Sequence, residues 1–118
     1  MNTLRVYGIP NCDTVRKARA WLDARQRPYL FHDFKKAGVP EARLAQWIAQ
    51  TGWEPLVNRQ GATWRKLPPE AQARIRDAAS ATRLMLEQAS IIKRPVIEWP
   101  DGSVTVGFNE TVWAEKLP

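Results

Sequence analysis

The sequence predicts an α/β domain in which a βαβ segment and a ββα segment flank a helical insertion. Three observations carry this reading. Residues 4–32 follow a strand, helix, strand pattern, and residues 40–89 are almost entirely helical in their spacing. Beyond them, two short apolar runs flank Pro100-Asp101-Gly102, a good hairpin turn. Two strands joined by a helix imply parallel pairing and a right-handed crossover. At 118 residues the chain is expected to form one domain, residues 1–118, with its helical insert at about 40–89.

The elements follow in order. Leu4 to Tyr7 reads as a short buried strand, and Gly8-Ile9-Pro10-Asn11 as a turn. From about Asp13 to Arg25 a helix places Val15, Ala18, Leu22 and Arg25 on one stripe with Trp21 beside it. Arg27-Pro28 closes it, and the aromatic-rich Tyr29 to His32 forms a second strand. In the insert, Pro40-Glu41 opens a helix whose buried face is Leu44, Trp47 and Ile48, with Gly52 as its C-cap. Pro68-Pro69-Glu70 opens another, carrying Ala71, Ile75 and Ala78 on one face. Ser80 is the expected cap of a third, which turns Leu84, Met85 and Ala89 inward. Pro55 to Leu67 reads as irregular. Pro95 to Trp99 and Ser103 to Gly107 are the last strands, and Asn109 caps a final short helix through Val112, Trp113 and Leu117.

Composition narrows the functional classes. An apolar fraction of 44% with six Trp argues for a folded globule rather than a disordered chain. The Trp residues fall mostly at core positions, so they do not read as a stacking platform, and no nucleic-acid partner is expected. The net charge of +6 comes from scattered Lys and Arg without a like-charge run. It reads mainly as solvated surface that suits small anions or acidic partners. No apolar leader or membrane-length apolar window is present, and a cytoplasmic location is the expectation. One His and one Cys hold no zinc pattern, so neither a metal site nor a bound cofactor is expected. The lone His32 reads as a half-exposed strand residue.

Cys12 is the most informative residue. It is the only cysteine, it stands where the first strand hands over to the first helix, and no CxxC pair exists. Backbone N–H groups that no helical carbonyl satisfies lie beside such a position and favour thiolate over thiol. Any disulfide must recruit its second thiol from another molecule. The alternative is a small buried apolar residue. Asn11, Asp13 and Thr14 are candidates to hydrogen-bond near the sulfur. Asp13 also opposes the thiolate by like charge, and Asp13 or Thr14 equally suits a helix start. Of Arg16, Lys17 and Arg19, one is a candidate to face the sulfur. Arg94 is the strongest cation, because a residue before proline is held extended.

The order of elements resembles a thioredoxin-like fold: a four-stranded mixed sheet made from a βαβ half and a ββα half. That resemblance implies an active cysteine after strand one and a proline, usually cis, before strand three, where Arg94-Pro95 stands. Tyr7-Gly8-Ile9-Pro10-Asn11-Cys12-Asp13-Thr14, together with Arg94-Pro95-Val96-Ile97, resembles the arsenate reductase (ArsC) family. Thr63-Trp64-Arg65-Lys66-Leu67 makes its YffB-type branch the nearest likeness. The resemblance implies an oxidoreductase in which Cys12 attacks an oxidised substrate and passes through a mixed disulfide with glutathione or glutaredoxin. Arg94, Pro95, Asn11, Thr14 and Arg59 are the implied binding residues, for glutathione as co-substrate and a small anionic or disulfide substrate. Two departures point away from arsenate. Gly8-Ile9 stands where arsenate reductases carry a histidine, and no Lys or Arg lies between Pro95 and Glu115. The related Spx-type regulators bind RNA polymerase and show a CxxC where this chain has Cys12 and Val15, which leaves a redox-independent adaptor as one alternative and a true arsenate reductase as the other.

Overall fold

The computed structural model describes residues 3–117. Along the chain lie strand β1 (Arg5–Gly8), helix α1 (Asp13–Ala24), strand β2 (Leu30–Asp33), the single-turn helix α2 (Phe34–Ala37) and helix α3 (Glu41–Thr51). A 3-10 turn (Glu54–Leu56) is followed by α4 (Ala62–Arg65), α5 (Pro69–Ala73) and α6 (Ala78–Glu87). A second 3-10 turn (Ala89–Ile91), strands β3 (Val96–Glu98) and β4 (Val104–Val106), and α7 (Glu110–Lys116) complete it. Two compact units divide the chain. The first runs up to Phe34 and resumes at Arg94; the second is Lys35–Lys93.

The first unit holds one four-stranded sheet in the order β2-β1-β3-β4. β1 pairs parallel with β2 and antiparallel with β3, which pairs antiparallel with β4. The register sets Val6 between Phe31 and Ile97, so these three share a face. That face carries the core: Leu4, Val6, Ile97 and Trp99 pack with Ala18, Trp21 and Leu22 of α1 and Trp113 of α7. Trp113 meets Trp21, Trp99 and Phe108 edge-on, with ring centroids 5.5, 5.3 and 4.8 Å away. The opposite face carries Tyr7, whose hydroxyl donates to Glu98 Oε1 at 3.0 Å and whose ring lies 5.1 Å from that of His32. Asn109 caps α7 as the sequence predicts, accepting from Val112 N–H at 3.1 Å.

The second unit buries Leu44, Trp47, Leu56, Val57, Ala81, Leu84, Met85, Ile91 and Ile92. Within it an isolated antiparallel bridge joins Val57 to Ile92. Gly52 closes α3 with φ 81°, a left-handed value glycine adopts without strain.

Three expectations are corrected in this unit. The cap of α6 is Asp77, not Ser80. Asp77 Oδ1 accepts from Ser80 N–H at 2.8 Å, while Ser80 Oγ accepts from Asp77 N–H at 3.2 Å, a reciprocal capping box. With Asp77 as the cap, Ala78 opens α6 rather than closing the helix before it. Ala89 lies beyond α6, in the second 3-10 turn. Residues 55–67, read as irregular, contain the end of one 3-10 turn and all of α4.

Candidate active site

Cys12 is the N-cap residue of α1, with extended backbone (φ −137°, ψ 127°). Its carbonyl accepts the first helical hydrogen bond from Arg16 N–H at 2.9 Å. The sulfur does not close a conventional cap bond. Partial burial pushes the thiol pKa up, but other groups outweigh it. The Val15 N–H, a hydrogen bond and the positive charge from the Arg94 guanidinium, and the Thr14 N–H together hold it below its ordinary value. Thr14 and Val15 are the second and third residues of α1, where helical N–H groups have no carbonyl partner.

Gly8 explains why Val15 sits so close. A Cβ on Gly8 would come within 2.9 Å of Val15 Cγ2, and Val15 is fully buried. The bare glycine thus lets the start of α1 press against the end of β1. Arg94 approaches from ahead of β3 and is half-buried. Its bond to Pro95 is cis, as the thioredoxin-like resemblance implies. The Pro95 carbonyl accepts from Gly107 N–H at 2.8 Å, which fastens this corner to the chain after β4.

The remaining candidates are placed as follows. Asn11 and Thr14 are exposed beside Cys12; Thr14 contributes its backbone N–H, and the Asn11 amide oxygen accepts from Arg16 Nη2. Arg16 is engaged by Asp13 and Asn11. Its Nη1 pairs with Asp13 Oδ1 at 2.7 Å, so the like charge expected from Asp13 is already matched by a cation. Arg19 turns to β2, where Nε donates to the Tyr29 hydroxyl at 3.0 Å and the guanidinium lies over Phe31 at 4.1 Å. Arg59 belongs to the second unit, its guanidinium flanked by Trp53 and Trp64 at 5.7 and 5.6 Å. Phe108, in the stretch from Pro95 to Glu115 that holds no Lys or Arg, packs on Trp113 at the edge of the core. Among the described residues no three His, Cys, Asp or Glu side chains converge as a metal site would require.

Sequence reasoning expected backbone N–H groups beside Cys12 without singling out Val15, and it missed the double role of Arg16. Val15 carries no polar side chain to mark it. The three-residue spacing of Asp13 and Arg16 was the available signal for their pairing.

A sheet of this order, with a cysteine after β1 and a cis proline ahead of β3, defines the thioredoxin-like α/β class. The chain belongs to the ArsC family, which it matches over residues 7–116. It is similar to a solved protein described as YffB, at 45% identity and a TM-score of 0.92, covering 98% of this chain and 100% of that one. It is 39% identical to an uncharacterized protein of Haemophilus influenzae, over 91% of this chain and 92% of that protein. It is also 24% identical to the global transcriptional regulator Spx of Bacillus subtilis, over 96% of this chain and 86% of that protein.

Proposed function

We propose that the protein is a glutathione-linked monothiol reductase with Cys12 as its nucleophile. The observation that carries this reading is the combination of Val15 N–H, Thr14 N–H and Arg94 around one sulfur, which favours thiolate despite burial. The Cys12 thiolate attacks a sulfur of a disulfide or glutathione mixed disulfide, and the displaced thiolate leaves and takes up a proton. If the attacked sulfur belongs to glutathione, Cys12 now carries glutathione. A second glutathione thiolate attacks the glutathione sulfur, releasing glutathione disulfide and returning the Cys12 thiolate. The chain holds one cysteine, so the resolving thiol comes from glutathione or glutaredoxin. Arg94 serves twice, holding the thiolate and offering a guanidinium to a carboxylate of the incoming tripeptide. Asn11 and Thr14 border the approach, and Pro95 shapes it. The absence of a cation between Pro95 and Glu115 favours a disulfide substrate over arsenate.

The test is the alkylation rate of Cys12 against pH, with mass detection of a glutathione adduct. The rate should rise with pH through a midpoint below the free-cysteine value of about 8.5. Arg94→Ala should raise that midpoint by about one unit. Cys12→Ser should abolish both adduct and turnover. A midpoint at or above the free value, or turnover surviving in Cys12→Ser, overturns the mechanism. Linkage gives a second sign: a lowered folded pKa stabilises the folded state at alkaline pH. That stabilisation is complete above the unfolded thiol's pKa and is lost as pH falls through the folded value.

A second reading has its own observation, the likeness to Spx over 96% of the chain. Here the protein is a redox-independent adaptor that binds RNA polymerase. Val15 occupies the place of the second CxxC cysteine and is packed against Gly8, which suits no redox switch. A polymerase complex that survives Cys12→Ser supports the adaptor; its absence, with glutathione turnover present, supports the enzyme.

A further inference from the structure

Cys12 has a charged neighbour of the wrong sign: Asp13 follows it directly, at the first position of α1. A free carboxylate there is able to swing toward the sulfur and oppose a thiolate. The Asp13 carboxylate is paired with Arg16, whose Nη1 lies 2.7 Å from Asp13 Oδ1, while Nη2 donates to Asn11 Oδ1. One guanidinium therefore grips the side chains on both sides of the cysteine. Its planar fork allows this, since two nitrogens point in fixed, diverging directions. The helix supplies the reach, because residues three apart are neighbours on its surface. The two side chains of the ion pair are 57% and 88% exposed, so the pair adds little to stability in solvent. Its effect lies in where it fixes the charge.

We propose that Arg16 is a positioning residue for Cys12, its guanidinium fork holding the Asp13 carboxylate and the Asn11 amide so that the carboxylate is kept from the nucleophile. This rests on the reading of Cys12 as the reactive group. Arg94, ahead of β3, acts on the sulfur directly. Arg19 is committed to Tyr29 and Phe31 on β2, and Lys17 is exposed on the outer side of α1. Arg16 is thus the group on α1 whose loss would change the Asp13 carboxylate rather than the thiolate's own contacts.

The distinction between direct and indirect action is measurable. The midpoint of iodoacetamide alkylation against pH is read in the full chain for wild type, Arg16→Ala, Asp13→Asn and the double variant. Both positions are exposed, and circular dichroism checks that each variant is folded. Arg16→Ala should raise the midpoint by about half a unit, the scale of a solvent-screened like charge. In the Asp13→Asn background the same replacement should leave the midpoint unchanged. Arg16→Lys, which keeps the charge but not the fork, should recover only part of the shift. Equal rises in both backgrounds would mean that Arg16 acts on the thiolate itself and would overturn the proposal, as would no rise in Arg16→Ala. These results stand apart from the enzymatic reading, which falls on the wild-type midpoint and glutathione adduct instead.

Discussion

The sheet unit and the helical unit use tryptophan in opposite ways. In the sheet unit Trp21, Trp99 and Trp113 are buried, and Trp113 meets the other two edge-on. In the helical unit Trp47 is buried, but Trp53 and Trp64 are half-buried and flank the Arg59 guanidinium. The first arrangement fixes where α1 and α7 rest on the strands, and so fixes where α1 begins. The second holds a cation at the surface on a loop that Asn58 stabilises by accepting from Gln60 N–H at 3.2 Å. Identical side chains thus serve as a core in one unit and as a cradle in the other. Composition counts them alike; burial separates them.

The comparison predicts unequal costs. Trp113→Ala should be the most damaging, by about 3–5 kcal/mol in a denaturant titration, since it empties the meeting point of Trp21, Trp99 and Phe108. Gly8→Ala should cost about 1–3 kcal/mol, because the new methyl group meets buried Val15. It should also raise the alkylation midpoint of Cys12, as the Val15 N–H is forced back. Asp77→Ala removes a helix cap confined to the helical unit and should cost about 1 kcal/mol, with the Cys12 midpoint unmoved. Trp64→Ala should be mildest, within about 1 kcal/mol, as expected for an exposed cation–π contact. A Trp64→Ala penalty as large as that of Trp113→Ala would erase the contrast between core and cradle.

The sheet unit was largely legible in the sequence. Its strands read as short apolar runs, its hairpin carries Asp101-Gly102, Asn109 caps α7, and Arg94-Pro95 marks the corner beside Cys12. These features are local, and local signals are what sequence records directly. The helical unit was legible as helix but not in its divisions. Asp77 and Ser80 are both good caps, and only the reciprocal bonds reveal which residue starts α6. The short α5 has no buried side chain to announce its length. At the candidate site, Cys12 and Arg94 could be named in advance. The grip of Arg16 on both neighbours could not, because the three-residue spacing marks only the Asp13 pair and nothing in the sequence marks the Asn11 contact.

That Cys12 is itself the N-cap of α1 has a consequence for turnover. A sulfur bound into a mixed disulfide is neutral and can no longer accept from the Val15 and Thr14 N–H groups as an anion does. Forming the adduct therefore strips the first turn of its anionic acceptor, and discharging the adduct restores it. The same contacts that sharpen the nucleophile make it a better leaving group, so the resting position of the thiol–disulfide balance tilts toward the reduced protein. Fraying of one helical turn, visible as faster amide exchange at Thr14 and Val15, would accompany each oxidised cycle and vanish on release.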